Sequence, residues 1–234
     1  MRVCFPAFLS CLLSAYAITL YTSEYACKIC SFSATGLNIR YFEYPYYDTT
    51  LADNINFLAS GYTTRKLMGT AKHVDQASIN FYVPTDGASL TTNMFGMNVY
   101  YTHFTFEYTG YFYATTSGIY EFAITNVDDR AMFWLGSGAF DCRDTTKIPS
   151  NAKSAYVGVA LKTISGNGSM YSYLYLDEGL YYPMRIVYVN WRKDGYLKFY
   201  IIGPTGSVYN NQLTRVVYSP DNAVNSYCES DTTY

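Results

Sequence analysis

Between Val99 and Tyr113 the chain reads Val-Tyr-Tyr-Thr-His-Phe-Thr-Phe-Glu-Tyr-Thr-Gly-Tyr-Phe-Tyr. Aromatic and β-branched residues fill the run, and its spacing suits a period of two rather than the period of an amphipathic helix. The run therefore predicts one long, alternating strand. Similar, shorter runs predict strands over Gly36 to Tyr44, Ser78 to Val83, Gly118 to Thr125, Ala131 to Leu135, Ser169 to Leu176, Tyr182 to Val189 and Gly195 to Ile202. Gly, Asp and Asn punctuate them, and no helical period is sustained. Short strands separated by turn residues imply an all-β chain built as a β-sandwich. Leu51 to Leu58 and Ser60 to Met68 leave room for short helical turns. With 28 tyrosines, most of them strand formers on half-buried sheet faces, the chain also holds the side chain best suited to sugar and protein surfaces.

The first residues belong to a different class. Met1-Arg2 is basic, Val3 to Leu13 is largely apolar, and Ser14-Ala15-Tyr16-Ala17 offers a small-residue exit. This is the pattern of a secretory signal peptide over 1–17, and the apolar run falls short of the ~18–20 residues of a membrane span. No later segment is apolar enough for direct membrane insertion. Residues 18–234 are then read as one domain. Cys4 and Cys11 leave with the signal peptide. Cys27, Cys30, Cys142 and Cys228 remain, an even number suited to an oxidising compartment. Cys27-Lys28-Ile29-Cys30 has redox or zinc spacing, but the chain lacks a βαβ context and a second tight pair. Two disulfides joining the N-terminal pair to the two distant cysteines fit better, with three connectivities open.

Charge and motifs narrow the chemistry. A formal net charge of −2 gives no basic face for nucleic acid or anionic lipid. His73 and His103 are the two histidines, and His103 is predicted mid-strand among aromatics. No nucleophile-elbow, phosphate-loop or H-E-x-x-H motif is present. One acidic pair stands out, in Thr125-Asn126-Val127-Asp128-Asp129-Arg130-Ala131-Met132-Phe133-Trp134. Adjacent side chains of an extended chain point to opposite faces, so aiming Asp128 and Asp129 at one ion requires a sharp bend. A hard cation such as calcium, with about 6–8 oxygen ligands, would hold such a bend, whereas a plain Asp-rich turn would leave both solvated. A second segment, Arg185 to Tyr196, runs from a strand into a loop opened by Asn190 and closed by Asp194-Gly195. It carries Trp191, which a hairpin with a buried aromatic also explains.

Taken together, these segments resemble the ligand-binding A domain of yeast cell-wall adhesins, the flocculins and epithelial adhesins, whose sandwich is of the protective-antigen type. The resemblance is carried by the N-terminal Cys pair, the Val127 to Cys142 run and the Tyr181 to Asn190 run. It implies that Asp128 and Asp129, joined by a cis peptide, bind Ca2+ with the Asn190 side chain, and that carbonyls of Arg192 and Asp194 complete the protein shell. The ion would then coordinate two sugar hydroxyls, with Trp191 packing on the ring and Arg192 donating to hydroxyls. Terminal galactose, mannose and N-acetylglucosamine or chitin ends all stay open. Asp141-Cys142, where many relatives carry two cysteines, puts the disulfide layout in question.

The resemblance further implies a non-enzymatic lectin. Such a domain would be monomeric, shown in many copies at the cell wall through a stalk and lipid anchor, and bearing a glycan on Asn167 of Asn167-Gly168-Ser169. Two alternatives compete. One is an accessory module of a secreted glycosidase, although adjacent carboxylates do not span the roughly 5–10 Å that glycosidases need. The other is a structural wall protein that binds no sugar.

Overall fold

Two sheets pack face to face because nearly every strand carries an apolar inner row. The computed structural model describes residues 19–21 (backbone only), 26–27, 32, 34–45, 48, 50–83, 90–142 and 144–219. In chain order the strands are β1 (Thr19–Tyr21), β2 (Leu37–Glu43), β3 (Leu67–Val74), β4 (Ile79–Phe81), β5 (Thr91–Met94), β6 (Met97–Tyr100), β7 (Phe104–Tyr113) and β8 (Gly118–Asp128). Then follow β9 (Arg130–Leu135), β10 (Gly158–Leu161), β11 (Gly168–Leu176), β12 (Tyr181–Asn190), β13 (Gly195–Ile202), β14 (Val208–Tyr209) and β15 (Val217–Tyr218). One sheet has the order β10-β9-β12-β7-β2-β3, with β15 also on β7; the other runs β1-β11-β8-β13-β14, with β4 also on β13. A separate hairpin pairs β5 with β6. Among the described residues no helix is long and apolar enough to cross a membrane.

Aromatic rings fill the space between the sheets. Phe133 of the first sheet stacks on Phe122 of the second at 5.3 Å and meets Phe199 at 6.0 Å. Phe112 meets Tyr120 and Phe122 edge-on, each at 5.2 Å. Rings at these separations gain roughly 0.5–1.5 kcal/mol beyond area burial.

The expected long alternating strand over Val99 to Tyr113 is corrected in two ways. The run breaks at 101–103 into β6 and β7, and His103 sits in that turn with φ 62°, not mid-strand. β7 itself does not alternate, since it is buried from Phe104 to Phe112. The cause is a second core on the outer face of the first sheet. There the segment of 3₁₀ turns Leu51–Asp53 and Gly61–Thr64 and the helix α1 (Ile55–Ala59) lays Phe57, Leu58 and Tyr62 against Tyr111, Trp134, Val187 and Val189. The helical turns foreseen there are present, and Asn54 caps α1 by accepting from the amides of Asn56 and Phe57.

This second core encloses charge. Glu107 is fully buried and accepts from Arg40 Nε and from the Tyr62 hydroxyl. Arg185, also fully buried, donates to Ala59 O at 2.7 Å and to the Tyr62 hydroxyl at 3.1 Å, with its guanidinium 3.9 Å from the Trp134 ring centroid. Tyr62 thus bridges an acid and a base. Burial first, and the Glu107 charge next, push its hydroxyl well above the ordinary tyrosine range.

Cys27 and Cys142 form a disulfide with Cα atoms 5.7 Å apart across a sequence separation of 115. Cys30, Cys228 and residues 1–17, for which the sequence predicts a signal peptide, fall outside the described residues. Removing the bridge frees a long loop in the unfolded chain, so Cys27→Ser with Cys142→Ser is expected to cost about 2–5 kcal/mol in denaturant melts. Free-thiol labelling of the denatured, unreduced secreted chain should find none; two thiols per chain would show that Cys30 and Cys228 are unpaired.

The last described strand, β15, is held on both sides. The amide of Gly36 donates to Val217 O at 2.7 Å and that of Ser219 to Ala34 O at 3.1 Å, while Tyr113 N donates to Val216 O at 2.8 Å.

Candidate calcium and carbohydrate site

The acidic pair lies where strand ends of both sheets meet. β8 ends at Asp128, β9 begins at Arg130, and the single residue between them is Asp129. The Asp128–Asp129 peptide bond is cis, as the resemblance implied. Register places Asp128 opposite Tyr196 of β13, and Arg130 opposite Val189 of β12. Asp129 is clamped through its backbone from both sides: its amide donates to Val189 O at 3.3 Å, and its carbonyl accepts from Lys162 N at 2.8 Å. The buried Tyr188 hydroxyl donates to Asp128 O. These strand-end bonds keep the pair from being a solvated turn; Asp128 retains only 5% exposure.

The side chains converge. Asp129 Oδ2 accepts the Trp191 amide at 2.6 Å, which ties the first loop to the second. Burial, chiefly, pushes the Asp129 carboxyl up from its ordinary value; the Trp191 amide opposes that shift and the Asp128 charge adds to it. Asn190 is fully buried, and its Nδ2 donates to Tyr101 O at 2.8 Å and to Lys193 O at 3.4 Å. Two carbonyls facing Nδ2 fix the amide's orientation, since the flipped form would set oxygen against oxygen. Asn190 Oδ1 is therefore left buried without a hydrogen-bond partner. An orphaned buried acceptor costs about 1–3 kcal/mol unless something engages it.

This donor set fits a hard cation: two carboxylates, one buried amide oxygen without a partner and the carbonyls of an irregular loop. Among the described residues no cluster of three His, Cys, Asp or Glu side chains exists, so any ion here depends on those neutral oxygens. The loops that carry Asp128–Asp129 and Asn190–Trp191 meet through the Trp191 amide on Asp129 Oδ2. Arg192 is exposed with its guanidinium 5.0 Å from the Trp191 ring centroid, and Trp191 is itself half-buried against the second core. The Asp194 carboxylate accepts the Val83 amide at 2.8 Å.

One participant has no signal in the sequence. Lys162, between β10 and β11, places its ammonium 2.7 and 2.6 Å from the two oxygens of Asp128. The strand that precedes it, Gly158–Leu161, was not foreseen, because it is only four residues long.

Comparison with known proteins bears on the family and the fold. The GLEYA domain family matches residues 104–203, which hold both loops. Flocculation protein FLO9 of Saccharomyces cerevisiae is 25% identical over 230 residues, covering 84% of this chain and 17% of its own length. Flocculation protein FLO10 of the same yeast is 24% identical over 272 residues, covering 93% of this chain and 23% of its own length. The chain thus spans less than a quarter of these relatives. Among solved structures, the A domain of epithelial adhesin 9 from Candida glabrata in complex with Galb1-3GlcNAc matches with TM-score 0.73 and 21% identity, covering 87% of this chain and 98% of that one. The A domain of epithelial adhesin 6, in complex with the same disaccharide, gives TM-score 0.71 and 23% identity, covering 89% and 97%. The PA14 domain of an antifreeze protein gives TM-score 0.52, which supports the wider sandwich type.

Proposed function

From the premise that this chain is a relative of the yeast cell-wall adhesins and carries a GLEYA domain, we propose that it is a calcium-dependent lectin domain, not an enzyme, displayed at the cell surface to hold terminal sugars of other glycans. The observation that carries this reading is the buried, unpartnered Asn190 Oδ1 in the loop that the Trp191 amide ties to the Asp129 carboxylate. Asp128, Asp129 and the Asn190 side chain would hold the ion, with carbonyls of Arg192 and Asp194. Calcium, when bound, supplies open positions that take two neighbouring sugar hydroxyls in place of water.

The chain's own residues do the rest. The Trp191 amide orients Asp129, and Tyr101 O orients Asn190, so the ligands are fixed before any sugar arrives. Trp191 and Arg192 rim the site and set which sugar fits. Lys162 acts as a tethered cation on Asp128 that calcium has to displace. Lys162→Ala should therefore raise calcium affinity, by roughly fivefold for an ion pair worth ~1 kcal/mol; a fall in affinity, read by calorimetry, would make Lys162 a supporting residue instead.

A glycan array probed with and without chelator tests the reading directly. Binding of terminal galactosides, mannosides or N-acetylglucosaminides that disappears with chelator is the expected result, and binding that survives chelator would end it. Each contact is weak, because sugar hydroxyls exchange water for protein at little net gain. Strength would come from many copies on facing surfaces, where linked sites raise avidity by roughly 10²–10⁴.

A further inference from the structure

A polar groove lies on the second sheet, apart from the acidic pair. It encloses 410 Å³, within the range of about 300–1,000 Å³ typical of small-ligand clefts. Ile79 and Leu197, which pair in the β4–β13 register, contribute to its lining, while their buried side chains belong to the main core between the sheets. Its rim is made of carboxamides: Gln76, Asn80, Asn126 and Asn211 all line it. No carboxylate lines the groove, and Lys198 is its one charged residue. Ser78 braces the wall by accepting the Phe199 amide at 3.1 Å.

We infer that this groove is a second saccharide site, one that takes a neutral pyranose without a metal. Each carboxamide presents a donor pair and an acceptor, the complement of neighbouring hydroxyls. The lining holds no carboxylate, and the Ser78 hydroxyl is engaged with the Phe199 backbone, so the groove is built to hold a sugar rather than to cleave it.

Position suggests one supplier of the sugar. Asn167, exposed at the start of β11, donates its Nδ2 to Asn126 Oδ1 at 2.8 Å, and Asn126 lines the groove. Asn167-Gly168-Ser169 is an acceptor sequence for N-linked glycan. Attachment would join Nδ2 to the anomeric carbon of a lipid-pyrophosphate-linked oligosaccharide. The lipid pyrophosphate would leave and one amide proton would be lost. The remaining N–H could still bond Asn126 and aim the first sugar at the groove. A glycan from outside the chain offers the same chemistry.

Two samples in chelator separate these sources, and chelator removes the acidic-pair site from the readout. In isotope-labelled Asn167→Gln chain, N,N'-diacetylchitobiose should shift the side-chain amide resonances of Gln76, Asn80 and Asn211 saturably. Asn80→Ala with Asn211→Ala, both exposed positions, should weaken that response at least tenfold while the melting temperature in chelator stays at the value of the parent chain, as the control for folding. In glycosylated wild-type chain, the same resonances already shifted and unresponsive to chitobiose would show that the chain's own glycan fills the groove. A response that persists would show that outside glycans do. Absence of any shift, in both the Asn167→Gln chain and the glycosylated chain, would overturn the proposal.

Discussion

Asp129→Ala should abolish sugar binding and lower calcium affinity by more than about 100-fold, since even partners outside the coordination shell of a metal are commonly worth about 10–100-fold. The fold should survive. Without the ion, Asp129 is a carboxylate raised by burial and by the neighbouring Asp128 charge. A carboxylate with a higher pKa folded than unfolded costs the fold stability once pH exceeds its unfolded value, and that cost is fully present above its folded value. Removing it at neutral pH relieves this penalty while giving up one hydrogen bond to the Trp191 amide, worth about 1 kcal/mol. Melting of the metal-free variant should therefore match wild type to within that amount. Calorimetry with calcium and with a terminal hexose gives the binding result; equal heats for wild type and variant would remove the site from this pair of residues.

A second substitution should do the opposite, sparing the loops and damaging the fold. Glu107 is the acid in a buried network with Arg40, Tyr62 and Arg185. Glu107→Ala leaves the Tyr62 hydroxyl without its acceptor and the fully buried Arg185 without a counter-charge close by. Breaking a buried pair by removing one partner costs about 3–5 kcal/mol. Urea unfolding should show that loss. Glu107→Gln keeps an acceptor while removing the charge, so it should cost less. A Glu107→Ala chain as stable as wild type would mean the network is solvated, contrary to the complete burial of both charged side chains.

The sandwich was legible because the strands have consistent local chemistry. Gly195 to Ile202 was placed to the residue, and Tyr182 to Val189 to within one at each end. Short edge strands such as Gly158–Leu161 and Val208–Tyr209 carry too few residues to establish a period. β7 misled for a different reason. Alternation presumes one wet face, and nothing local in Phe104–Tyr113 reveals that residues 51–64 come back to cover the other. At the site, Asp128, Asp129 and Asn190 were readable as ligand types near strand ends. Lys162 was not, because its approach depends on β10 pairing with β9, a contact no local pattern announces.

The stitching of β15 has a mechanical consequence. Tension applied to the chain beyond Ser219 meets a strand bonded both to β7 and to residues 34–36. The bonds Ser219 N–Ala34 O, Gly36 N–Val217 O and Tyr113 N–Val216 O stand between that load and Leu213 in the main core. Pulling must disrupt contacts on two flanks before it reaches the sandwich interior, so a tug from that side is spread over the sheet and kept away from the loop of Asp128 and Asp129.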